Sequence, residues 1–205
     1  MKNPWEEIPL SDYENHMSLD SVMQLQAMNH IMKRQLGLYP VRTAMILGVA
    51  GGNGLEHIDP QKLQKVYGVD INRTYLRACG ARYPELAGIL ECVCADLTAP
   101  DAVLPRADLV IANLLVEYIG YPCFQRAVTR ICPAYVSCVI QINTDDGFVS
   151  DSPYLHVFDG LAQVHHQMRE DKLTAALEDI GFRLTARAEY PLPNGKMLVR
   201  LDFAR

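Results

Sequence analysis

The chain reads as an α/β protein built on a mostly parallel sheet that finishes with an antiparallel pair of strands. Three observations predict this. From Thr43 onward, short β-rich runs alternate with helical patterns, as a parallel sheet with crossover helices requires. The runs "DLVIAN" and "YVSCVIQIN" are almost continuously apolar, which suits strands buried on both faces. The pattern changes in the tail, where "FRLTARAEYPL", Pro193-Asn194-Gly195 and "KMLVRLDFAR" read as two long strands joined through an Asn-Gly turn.

In chain order, the stretch Leu19 to Leu36 carries Leu19, Val22, Met23, Leu25, Met28, Ile31 and Met32 at helical spacing, with Ser18 or Asp20 placed to cap it. Strands are expected at Thr43–Leu47, Lys65–Val69, Ile89–Cys94, Ala107–Asn113 and Tyr135–Ile142. Helices are expected near Asn53–Ile58, Arg73–Tyr83, Tyr121–Ile131 and Gln167–Ile180. In the tail, Phe182, Leu184, Ala186 and Ala188 alternate with polar residues, as do Leu198, Arg200 and Asp202 with their neighbours. Thr144 to Gln163 shows no clear element, and a connection of that length in a compact domain is usually functional or mobile. Residues 1–42 then form a helical cap, and residues 43–205 form a single globular unit.

Composition bounds the function. At 205 residues, 49% hydrophobic and 21% charged, the chain is long enough for one well-buried core. A formal charge of −5 disfavours a nucleic-acid partner, whose phosphates call for a basic footprint. The six cysteines form no C-x-x-C pair and no cluster with zinc-ligand spacing, so no metal is expected. Reduced thiols, several in apolar segments where they act as small hydrophobes, imply a reducing compartment. With no secretory leader visible and no 18-residue apolar run, the expectation is a cytoplasmic protein without a membrane span.

The chemistry gathers at "LGVAGGNG". Four glycines and an alanine fall within residues 48–54, directly after a strand, where bare backbone N–H groups can approach a ligand. The second strand ends in "YGVDIN". Asp70, 18 residues past Gly52, stands where a carboxylate can accept hydrogen bonds from both hydroxyls of a ribose. Nicotinamide and flavin dinucleotides remain open at that point. The third strand ends in "LECVCADL", pairing the Asp96 carboxylate with the apolar Leu97, a combination suited to adenine. The fourth ends in "IANLLVEY" and brings Asn113 to the same edge.

From Thr43 to Arg205 the chain resembles the class I, Rossmann-like S-adenosylmethionine-dependent methyltransferases. The resemblance rests on the glycine loop, the acidic tips Asp70 and Asp96, "ANLL" and the closing hairpin. It implies a doubly wound seven-stranded sheet in the order 3-2-1-4-5-7-6, strand 7 antiparallel, with S-adenosylmethionine as cofactor. Backbone at Gly48, Ala50 and Gly52, with Gly51 and Asn53 alongside, would lie against its methionine portion and ribose. Asp70 with Ile71 would hold the ribose, Asp96 with Leu97 the adenine, and Asn113 would stand near the transferred methyl. The acidic residue usual at the end of the first strand falls on Gly48, and the first glycine falls on Ala50. Alanine permits close approach there if its φ stays negative, and Asn113 or Tyr13 would substitute for the missing carboxylate.

Methyl transfer from a sulfonium depends mainly on alignment, so no triad need appear in the sequence. Tyr13 and His16 in "SDYENHM", Glu117-Tyr118 and His156 are the candidate bases. On general grounds Glu117 is expected to be solvated or capping, His16 and His156 to be surface or hydrogen-bonded histidines, and His165-His166 to sit on the exposed face of a helix. "IANLLVEY" lacks the Asn/Asp-Pro-Pro-aromatic pattern of many nucleic-acid amino methyltransferases, so the expected partner is a small-molecule methyl acceptor. Two other readings stay open: a nicotinamide-dependent oxidoreductase, and a module that binds the cofactor without turning it over.

Overall fold

The five strands expected between Thr43 and Ile142 form within two residues of their predicted bounds. The computed structural model describes residues 3–143 and 147–205. The first two residues of the expected cap, and Thr144, Asp145 and Asp146 at the head of the long segment, lie outside the described residues. Helices α1 (Leu10–Ser18) and α2 (Gln24–Leu38) precede β1 (Thr43–Leu47), β2 (Lys65–Asp70), α3 (Arg73–Arg82), β3 (Leu90–Cys94) and β4 (Leu109–Asn113). Then follow α4 (Val116–Ile131), β5 (Tyr135–Ile142), α5 (Glu170–Glu178), β6 (Arg183–Pro191) and β7 (Met197–Ala204).

The sheet order is β3-β2-β1-β4-β5-β7-β6. Strands β1 to β5 are parallel to one another, and β7 runs antiparallel to both β5 and β6. This is the order the resemblance implies. Strands β1, β4 and β5 are buried on both faces, as their unbroken apolar runs require. One core contains Met45, Val110, Phe124 and Phe203, and a second contains Ile46, Val66, Leu76 and Leu109. Alternating β1 residues Met45 and Ile46 thus serve opposite sides.

Several local expectations are corrected. The helix predicted from Leu19 to Leu36 starts only at Gln24 and runs to Leu38, and a separate helix, Leu10–Ser18, precedes it where none was expected. Between them Leu19 O accepts from Val22 N and Met23 N, both at 2.8 Å, and Met23 sits at φ 54°. That turn carries Val22 into the core, where it is fully buried. Ser18 and Asp20 cap nothing: Ser18 ends α1, and α2 begins after Met23 with no side-chain cap. The helix predicted near Asn53–Ile58 is a single 3-10 turn, Leu55–His57. Helix α4 begins five residues earlier than predicted and is kinked at Gly120 (φ 72°, ψ 162°), just before Pro122. Helix α5 is shorter than predicted. A 3-10 helix, Leu155–Gln163, occupies the end of the segment in which no element was expected.

The alternation read in the hairpin does not separate core from solvent. Strand β7 lies between β5 and β6, and its residues 198–203 are all buried, including Arg200 and Asp202. Strand β6 is the sheet edge, and Leu184 is exposed. Edge position likewise exposes Cys92 and Cys94 on β3, so the small-hydrophobe reading holds for Cys79 and Cys138 but not for this pair.

Candidate functional site

Three adjoining cavities open along the carboxyl rim of β1, β2, β3 and β4. Tyr13 of α1 and Leu114 after β4 line all three. The first, with about 680 Å³ of empty volume, is bordered by Gly48, Ala50, Asp70, Ile71, Asp96, Leu97 and Asn113. The third adjoins Gly48, Ala50, Gly51, Asn53 and Asn113, with Glu14 and Met17 from α1. The second has about 560 Å³ and is bordered by Trp5, His16, Glu117, Tyr118, Phe148 and His165. The structure therefore brings every sequence-predicted cofactor residue except Gly52 to the first or third cavity. It brings the candidate bases Tyr13, His16 and Glu117 together at the second. His156 is elsewhere, its side chain 92% exposed and beside Asp159 at 3.4 Å.

Asp70 is the pivot of the first cavity. Its Oδ2 accepts from Ala50 N at 2.9 Å and its Oδ1 from Asn72 N at 2.8 Å. Burial pushes its carboxyl up from the ordinary range, against the pull of these backbone donors. The first of these bonds holds Ala50 at φ 48°, so the condition that its φ stay negative is not met. Alanine occupies the left-handed region here at some cost, with the Asp70 bond opposing it. Asp96 is exposed and accepts from Thr98 N and Oγ1 at 2.8 and 2.7 Å, while Leu97 is buried beside it.

The glycines divide into two groups. At Gly48 (φ 72°) an added Cβ would meet only the side chain of Leu115, at 3.1 Å. At Gly52 it would meet Tyr83 and Cys79, and at Gly54 the Met32 side chain at 2.7 Å. At Gly51 it would strike Glu14 and Arg82. Gly52 and Gly54 thus let this protein's own helices approach, and only the start of the loop is bare toward a cavity. Glu14 and Arg82 form a paired contact over Gly51, with Nη2 2.7 Å from Oε2, and Arg82 Nη1 donates to Gly51 O at 3.0 Å. Glu14 thereby brings an acidic side chain to the third cavity, which Gly48 cannot. Asn113 spends its amide on Gln35 of α2 in both directions, at 2.9 and 2.8 Å.

The second cavity is aromatic and contains a buried acid. Trp5 meets Tyr118 edge-on at 4.8 Å, Phe148 stacks on His165 at 4.0 Å, and His16 tilts against Phe158 at 4.8 Å. Glu117 is 4% exposed, not solvated, because α4 starts before it and turns it beneath β5. Its Oε1 accepts from Gln141 N at 2.9 Å, and its Oε2 is buried with no hydrogen-bond partner among the described residues. Burial pushes its pKa up to about 7. His16 is also 4% exposed, and its Nδ1 lies 2.8 Å from Ser152 Oγ. Burial, then Lys196, lowers its pKa. Burial, then His166 and Lys196, does the same to His165. His165 and His166 precede α5 instead of starting it: His165 is half-buried at the cavity, and His166 N donates to Glu117 O at 2.6 Å. Burial, then the charges of Asp70 and Glu14, raises the Tyr13 phenol and keeps it protonated.

Sequence reasoning missed Trp5, Glu14, Gln141 and His165. Trp5 was the most accessible of these, being the chain's single tryptophan in an otherwise polar opening stretch. The roof it belongs to is fastened by Asn72 Nδ2 donating to Trp5 O and by Tyr75 Oη donating to Ile8 O, both at 2.9 Å.

No family model and no curated protein matches the chain. Solved structures do. The N-methyltransferase NodS from Bradyrhizobium japonicum WM9, in complex with S-adenosyl-L-homocysteine, is 11% identical with a TM-score of 0.69, over 100% of this chain and 99% of that one. Magnesium protoporphyrin IX methyltransferase from Synechocystis PCC 6803, with bound S-adenosylhomocysteine, is 13% identical with a TM-score of 0.63, over 89% and 82%. The fold is that of the class I methyltransferases. The [4+2]-cyclase SpnF also shares it, at 8% identity and TM-score 0.65 over 90% and 82%, so the fold by itself does not fix the reaction. Among the described residues no helix is long and apolar enough to cross a membrane.

Proposed function

We propose that this protein is an S-adenosylmethionine-dependent methyltransferase acting on a small molecule. The observation that carries the reading is the three-part cavity: two acidic strand tips in one lobe, bare backbone at Gly48 and Ala50 beside it, and a separate aromatic lobe across Tyr13 and Leu114. The residues fit an adenosyl sulfonium. Asp70 accepts from the ribose hydroxyls, Asp96 and Leu97 receive the adenine, and Ile71 and Leu115 pack on its apolar surface. Gly48, Ala50 and Gly51 flank the methionine portion, with Asn53 at the far side of that lobe.

Glu14, steadied by Arg82, offers a carboxylate for the ammonium of that portion, in place of the acid missing at Gly48. Asn113, locked to Gln35, acts as a wall more than as a free donor. When bound, S-adenosylmethionine supplies a methyl group that is already electrophilic. The chain's own work is to hold the acceptor in line and exclude water, and the Tyr13 phenol contributes a fixed O–H donor between the lobes. The acceptor occupies the second cavity, and the reaction takes place in the cytoplasm.

Calorimetry with S-adenosylhomocysteine and with NADH tests the cofactor. Tight binding of the first and none of the second is expected, and the reverse would return the oxidoreductase reading. Incubation with methyl-labelled S-adenosylmethionine and a small-molecule panel tests turnover. Binding without S-adenosylhomocysteine release from any of them would instead mark a non-transferring module.

A further inference from the structure

Resting on the methyltransferase reading, the second cavity narrows the class of acceptor. An ionised carboxylate held out of water needs a counter-charge or full hydrogen bonding. Among the described residues Glu117 has neither at Oε2, although its Oε1 is satisfied. The charged and titratable groups among the described residues do not supply it a cation. Tyr118, Tyr121 and Cys138 feel its charge as a repulsion that opposes their own ionisation. His16 and His165 border the same cavity but are held toward the neutral form. Lys196 acts on those two histidines, and its Nζ donates to Gly147 O at 2.6 Å. The same cavity is lined by Trp5, Tyr118 and Phe148, and aromatic rings favour a cation over a neutral group.

We propose that the methyl acceptor is a primary or secondary amine, which enters the second cavity as its ammonium ion, pairs with Glu117 Oε2 and gives that oxygen its proton. The ammonium N–H bond breaks, its proton passes to Oε2, and the electron pair stays on nitrogen. That lone pair forms the new N–C bond as the methyl carbon's bond to sulfur breaks, with those electrons remaining on sulfur. The methylated ammonium leaves, and Glu117 returns its proton to solvent. A hydroxyl acceptor would leave the carboxylate without its counter-charge.

Trp5, the only tryptophan, borders both the first and second cavities, so its fluorescence reports on each. S-adenosylhomocysteine is titrated first. With it saturating, phenethylamine, cyclohexylamine and N-methylphenethylamine are compared with 2-phenylethanol and cyclohexanol. The amines should bind at least about tenfold more tightly than the isosteric alcohols. E117Q keeps an acceptor for Gln141 N and should erase that preference, leaving the alcohols within about threefold of their wild-type affinity. In the unaltered protein, amine affinity should rise between about pH 6 and about pH 8 while alcohol affinity stays flat. This readout does not depend on the variant folding.

Alcohols binding as tightly as amines, a preference that survives E117Q, a flat pH profile, or no amine response beside normal S-adenosylhomocysteine binding would each overturn the inference alone. Failure of S-adenosylhomocysteine to bind would overturn the methyltransferase reading, and this inference with it.

Discussion

The first and second cavities share Tyr13 and Leu114 but are made differently. The first is built on strand tips, and its buried carboxylate, Asp70, is bonded through both oxygens to backbone donors. The second is assembled from the N-terminal segment, the start of α4 and residues 148–165, and its carboxylate keeps one oxygen without a partner among the described residues. A satisfied buried network is rigid, whereas an unpaired buried oxygen is costly until something pairs with it, which is the place the proposed ammonium takes.

The sharpest way to break this contrast is to remove the strain in the second cavity. The raised pKa of Glu117 means that the folded state disfavours its ionised form. Stability is therefore fully retained below the unfolded value of 4.5, and is lost as pH rises through about 7. Glu117→Gln should relieve a penalty of about 3 kcal/mol at pH 8 and nearly none at pH 4. Thermal melts across that range would show the gain in Tm growing with pH, and a gain independent of pH would refute the buried-acid picture.

Asp70→Ala should act oppositely, weakening S-adenosylhomocysteine binding by about 1.5–3 kcal/mol in calorimetry. Unchanged affinity would remove Asp70 from the ribose role. Gly54→Ala should cost about 1–3 kcal/mol of stability, because φ is 90° and Met32 fills the space. Its S-adenosylhomocysteine affinity, measured well below the melt, should hold, and a collapse of affinity would put Gly54 back with the ligand. His156→Ala should be the smallest change, with both affinities intact by calorimetry, since its side chain lies in solvent away from the three cavities.

The same contrast explains what was legible in the sequence. Strand boundaries and tip residues Asp70, Asp96 and Asn113 could be read because apolar runs fix where a buried strand ends, and the topology places those ends together. The ligand role of the whole glycine loop could not be separated from packing by sequence. Only three-dimensional neighbours reveal that Gly52 and Gly54 make room for Tyr83, Cys79 and Met32. Glu117 defies its local sequence for a related reason. An acid in the first turn of a helix is usually exposed, and nothing local reports that α4 starts at Val116 beneath Gln141. His165 and Trp5 reach the site through segments without periodicity, where spacing carries no information about direction.

Asn72 does three things within one residue. Its backbone N–H steadies Asp70, its Oδ1 caps α3 through Thr74 N and Tyr75 N, and its Nδ2 holds the Trp5 carbonyl. Floor and ceiling of the first cavity are therefore pinned to the same rivet. The anchoring of the leading segment and the setting of the Asp70 carboxylate are thereby one matter: displacing Trp5 breaks a bond to the residue whose backbone steadies that acid.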